Sequence, residues 1–235
     1  MFDGVRPWLH AGRTRDELNA LAEAGGIRTE AGKPVRFVAP AITKDLYYEL
    51  QVYESGCVAT REGNLHDWFN ALAWLAFPRT KARINAMHAA EIPREGNRRG
   101  RLRDLLTLFD EGGAIVQCDD AGLIAMLREF RWKELFWQNR SRVLAAMRCV
   151  VLGHAVLEKA LEPWPGITCK TIFVATGTDA DAQAAAWLAR LPLHATPREL
   201  ASLPVFGYPG WLAESARPEF YDDARYFRPF RKQLP

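Results

Sequence analysis

The stretch from Asn64 to Ala90, NLHDWFNALAWLAFPRTKARINAMHAA, constrains the fold more than any other part of the chain. Asn64 is a good N-cap, and from Leu65 to Phe77 the residues are apolar almost all round a helix, so that helix must be covered by protein on most sides. The polar exceptions are His66, Asp67 and Asn70. At about 100° per residue they share one sector at the N-terminal end, which Trp74 and Phe77 continue. Such a sector is either a pocket wall or a satisfied core network. Pro78 suits the first turn of a second helix, where its missing N–H costs nothing. On that helix Lys81, Asn85 and His88 form another polar stripe, while Arg79 and Arg83 point to the other side.

Composition sets outer limits. With 235 residues, 49% of them hydrophobic and 25% charged, the chain is expected to form one globular domain over 1–235 with a substantial core. A formal net charge of +3 is too small to indicate a nucleic-acid partner. The mixed, polar opening MFDGVRPWLHAGR lacks the basic, apolar and small-residue pattern of an export signal, so a cytoplasmic location is expected. The most apolar long stretch, Val143 to Leu161, carries Arg148, His154, Glu158 and Lys159, which would be costly in lipid. It reads as a core helix, and no membrane association is expected. Cys57, Cys118, Cys149 and Cys169 show no zinc spacing and are expected to be free thiols.

Along the chain, helices are predicted over Thr14–Ala24, Lys44–Ser55, Leu102–Asp110, Leu123–Phe130, Trp132–Gln138, Ser141–Glu162 and Asp179–Arg190, with a short helical turn over Pro197–Ser202. Short strands are predicted over Val35–Ala39, Ala114–Cys118 and Thr168–Ala175. Glu91 to Gly100 reads as an exposed loop, and its arginines, with Arg101 and Arg103, make a basic run that is either a solvated face or a contact surface. From Pro204 the chain is rich in proline, glycine and aromatics and is expected to wrap the surface, anchored by Trp211, Phe220, Tyr221 and Phe227. Few strands against many helices predict an α+β domain that is mostly helical.

The motif HDWFNALAWLAFPRTKARINAMHA resembles the signature of an uncharacterised bacterial family known as domain of unknown function 3025. RLRDLLTLFDEGGA (Arg101 to Ala114), GHAVLEK (Gly153 to Lys159), and PGW followed by FYDDARYFRP (Phe220 to Pro229) are similar to the same family and follow in order. The resemblance implies a soluble bacterial protein. It brings no activity, cofactor or catalytic residue with it.

Several constellations could carry chemistry. His66-Asp67 is a doublet of the kind that binds a divalent metal in some phosphohydrolases, although the one earlier histidine is His10, in an irregular stretch. His154 and Glu158, one helical turn apart, share a face. Together His66, Asp67, His154 and Glu158 would supply ligands for zinc, manganese or iron; alternatively His154 and Glu158 only hydrogen-bond each other. Arg79 and Lys81, near a helix N-terminus, could bind an anion or be ordinary surface charge. Asp110-Glu111 is a metal-facing turn or a solvated helix end, and Asp222-Asp223 a pocket lid or a structural ion pair with an arginine. No Walker loop, GxGxxG, GxSxG or HExxH is present.

The first functional expectation is a cytoplasmic enzyme with a buried site built from His66, Asp67, Asn70, His154 and Glu158, either acid/base without a cofactor or metal-assisted hydrolytic with a divalent metal. The second is a non-enzymatic protein that meets a protein or nucleic-acid partner through its arginine-rich or aromatic surface, the polar cluster then only specifying the core.

Overall fold

The computed structural model describes residues 1–10, 12, 14–40, 47–95 and 98–229. The elements run α1 (Arg15–Ala24), β1 (Arg36–Val38), α2 (Tyr48–Ser55), β2 (Cys57–Ala59), α3 (Leu65–Ala76), α4 (Pro78–Glu95), α5 (Arg101–Gly112), β3 (Gly113–Cys118), α6 (Ala121–Arg128), α7 (Arg140–Ala146), β4 (Met147–Val151), α8 (His154–Lys159), β5 (Thr168–Val174), α9 (Ala180–Ala189) and β6 (Ala201–Pro204). The fold is α+β with helix predominating. Two small sheets form, a parallel pair β1-β2 and a mixed sheet in the order β4-β3-β5-β6, in which only β3 and β5 run parallel.

Local chemistry explains the main boundaries. Thr14 and Glu17 close a capping box at the start of α1. The Asn64 side chain accepts from the Asp67 amide to start α3, and Pro78 opens α4 directly after it. Every residue of β3 is buried, as a strand covered on both faces must be. Phe69, Leu72, Leu105, Leu106 and Phe109 join the sheet residues in one continuous core. All four cysteines are free. Among the described residues no helix is long and apolar enough to cross a membrane.

The structure corrects four expectations. The long helix over Ser141–Glu162 is instead α7, β4, a turn and α8. An apolar run has no periodicity to distinguish buried helix from buried strand, and Met147–Val151 pairs with β3 along its whole length. Gly153 makes the turn into α8 against Gly113: a Cβ there would lie 2.5 Å from the Gly113 amide nitrogen. The loop expected at Glu91 is the last part of α4, which continues through Pro93 to Glu95. Trp132–Gln138 is partly π-helical, over Glu134–Gln138. The turn expected over Pro197–Ser202 is a 3-10 turn at Pro197–Glu199 that gives way to β6. The first part of the helix predicted over Lys44–Ser55, residues 44–46, lies outside the described residues, as do residues 96–97 of the arginine run and 230–235 of the C-terminal segment.

From Pro204 to Pro229 the chain wraps in short 3-10 turns. Tyr221, Tyr226 and Phe227 are buried, with Trp211 and Phe220 half-buried against the same core. The Tyr226 hydroxyl donates to the Ile167 carbonyl and accepts from the Phe206 amide, and Trp132 donates to the Arg228 carbonyl. Asp222 and Asp223 form ion pairs with Lys133 and Arg225.

Candidate functional site

His66 stands in the first turn of α3 and His154 begins α8, and these two helices pack on each other. Their imidazoles meet edge to face, with Nε2 to Nε2 at 3.2 Å and an interplanar angle of 72°. His154 Nδ1 lies 3.0 Å from the Asp110 carbonyl oxygen, and His66 Nδ1 lies 3.0 Å from Glu158 Oε2. Glu158 therefore serves His66 from the facing helix rather than His154 one turn behind it.

The partners determine the protons. A carbonyl oxygen can only accept, so His154 Nδ1 carries hydrogen and the neutral ring presents Nε2 as an acceptor. His66 Nε2 must then be the donor. Its other nitrogen faces a carboxyl group, so either His66 is an imidazolium beside ionised Glu158, or it is neutral and accepts from protonated Glu158. Burial above all holds His154 neutral, pushing its pKa down to about 4 against the opposing pull of Asp110.

Beside this relay lies an ion pair. Lys81, its side chain only 5% exposed, donates to Asp110 Oδ1 and, at 2.8 Å, to Asn70 Oδ1, with its ammonium 5.6 Å from the Trp74 ring centre. Burial pushes the Asp110 carboxyl up, but the charge of Lys81 and its hydrogen bond outweigh it and hold Asp110 below the usual range. Glu49 goes the other way. Burial raises its pKa despite a 2.6 Å hydrogen bond from Asn85 Nδ2. His88, one turn beyond Asn85, is kept neutral chiefly by burial, its pKa pushed down to about 4. These groups line one open cavity of about 340 Å³, bounded by α2, α3, α4, α5 and α8.

The structure thus brings His66, Asn70, His154 and Glu158 into one neighbourhood, but not as the expected metal set. Asp67 is held by Arg61, whose guanidinium makes bonds of 2.8 and 2.9 Å to its two oxygens, and Glu158 occupies the nitrogen of His66 that faces away from His154. Among the described residues no group of three or more His, Cys, Asp or Glu side chains is arranged to hold a metal ion. Of the expected turn Asp110-Glu111, Asp110 is the partner of Lys81.

Arg79 and Lys81 do not form an anion site together. The anion at the start of α4 belongs to the chain itself: the Asp181 carboxylate accepts from the Arg79 and Thr80 amides at 2.9 and 2.8 Å, and the Arg79 side chain pairs with Asp179. Lys81 turns instead into the pocket. Removing this cap by Asp181→Ala is expected to cost about 2 kcal/mol, read from denaturant unfolding. A loss below about 0.5 kcal/mol, within the scatter of ordinary surface changes, would show that the cap contributes little.

Sequence reasoning missed Glu49 and the Lys81–Asp110 pair. The regular spacing of Lys81, Asn85 and His88 flagged one wall of the pocket and Asp110-Glu111 was singled out on α5, but nothing in the sequence paired Asp110 with Lys81 or pointed to Glu49.

The fold and its pocket define a mostly helical α+β protein that gathers titratable side chains around a small cavity. The chain belongs to the family described as protein of unknown function (DUF3025), whose model matches residues 35–231. No curated protein and no solved structure matches it.

Proposed function

We propose that the protein is an enzyme that carries out acid–base hydrolytic chemistry on a small polar molecule held in this pocket. The observation that carries the reading is the Glu158–His66–His154 relay, with His66 and His154 lining the same cavity as Glu49 and Asp110. Two carboxyl groups pushed in opposite directions are suited to opposite roles, Glu49 as a proton donor and Asp110 as a fixed negative charge. His66 carries the proton, Glu158 orients its ring, and His154 accepts from it. Asn70 and Lys81 present polar hydrogens to the substrate. Asp67 positions Arg61 and is outside the chemistry.

His66 and His154 would be the nitrogen ligands of a divalent ion, and no third His, Cys, Asp or Glu among the described residues is arranged with them to complete a site, so proton transfer is the reading the donor set favours. The alternative of a binding protein has less support. Arg94, Arg99 and Arg103 pair with Glu91, Asp104 and Glu95, and the aromatics Tyr221, Tyr226 and Phe227 are spent on the core.

The test is a panel of small polar amides and phosphate esters. His66→Gln is expected to lower kcat/KM about 100-fold on whichever class is turned over, with the melting temperature kept. Equal turnover by His66→Gln, or no turnover of any class, would remove the reading.

A further inference from the structure

On the opposite edge of the mixed sheet, β5 and β6 place Lys170 directly across from Ser202. The Lys170 ammonium donates to Ser202 Oγ at 3.0 Å. Both side chains lie on the floor of a cavity of about 820 Å³, walled by Trp132, Trp164 and Tyr226 and sharing no residue with the pocket around His66. Its size is that of a ligand site, and it is a mainly apolar one.

Two observations separate this pair from an ordinary cross-strand hydrogen bond. Lys170 forms no ion pair among the described residues, and the one carboxylate in the cavity wall, Asp223, is held by Arg225. Partial burial lowers the pKa of the amine, so its neutral form is reached more easily than that of an exposed lysine. A serine hydroxyl 3.0 Å from a half-buried lysine amine sets a nucleophile beside a base.

We propose that Ser202 and Lys170 form a second reactive site, an acyl-accepting serine with a lysine base, for carboxylic esters of apolar acids. Neutral Lys170 takes the proton from Ser202 Oγ as Oγ bonds to the ester carbonyl carbon. The tetrahedral adduct then collapses, its C–O bond to the alcohol breaks, and the departing oxygen receives the proton from the Lys170 ammonium. Water attacks the acyl-serine by the same route, giving the free acid and restoring both side chains. The apolar walls receive the acyl chain.

The experiment treats the full chain with a fluorophosphonate bearing an octyl group, from which an activated serine displaces fluoride, and locates the adduct by peptide mass spectrometry. The adduct is expected on Ser202, forming faster as pH rises, with a midpoint below that of an ordinary lysine. It should be absent in Ser202→Ala and slowed at least about ten-fold in Lys170→Arg, which keeps a positive charge and a hydrogen-bond donor but cannot give up a proton. Circular dichroism melting checks that Lys170→Arg is folded. His66→Gln should label at the wild-type rate, so this site stands or falls separately from the other. No adduct at Ser202, or wild-type labelling of folded Lys170→Arg, would overturn the proposal.

Discussion

Lowering the pH from about 6.5 to about 4 is expected to remove on the order of 6 kcal/mol of folding stability, through two histidines alone. His88 and His154 are buried neutral, each with its pKa moved from 6.5 to about 4 mainly by burial. Within that window the unfolded chain binds a proton at each site and the folded chain does not. Acid therefore favours unfolding, and stability rises with pH until both states are neutral. Below about 4 the folded state takes up the protons too, and this contribution levels off. The measurement is urea unfolding at a series of pH values, with His88→Gln expected to remove about half of the dependence. A flat profile between the two limits would show that one or both rings are solvated in the folded protein.

Replacing Lys81 by methionine is expected to destabilise the protein by about 3 to 5 kcal/mol, because it leaves the Asp110 carboxylate in a buried site without its cation. Asn70 would lose its donor in the same step. The double change Lys81→Met with Asp110→Asn should recover much of the loss, since the uncompensated charge, rather than the missing attraction, is the main cost. Both variants are compared by chemical denaturation near neutral pH. A single variant within about 1 kcal/mol of wild type would mean that water reaches Asp110 easily.

The sequence made the helices legible where strong local signals punctuate them. Asn64 and Pro78 bracket α3, and its apolar circumference foretells its burial. His66 and Glu158, expected in one cluster, stand 3.0 Å apart, although the long apolar helix assumed for Glu158 is instead α7, β4 and the short α8. The sheet was harder to read. β4 was hidden within an apolar run, and β6 is only four residues long, so neither carried a period that could be recognised. The pairing of Lys81 with Asp110 depends on how α4 meets α5, which is tertiary information. The Asp181 cap was inaccessible for the same reason: the α4 terminus suggested an anion, and nothing local showed that the chain supplies one from about a hundred residues away.

That cap bears on the order in which the molecule is assembled. The stripe of Lys81, Asn85 and His88 is aimed by α4, and the first amides of α4 are tied to Asp181 at a sequence separation of 101 to 102 residues. Closing so long a loop is slow, because its entropy is lost before the contact repays it. Docking of β5 and α9 is thus expected to be what fixes the final orientation of the pocket wall, with pocket amides gaining exchange protection no earlier than those of α9. A chain ending before β5 would still contain nearly every pocket residue named above, yet would lack the fastening that aligns them.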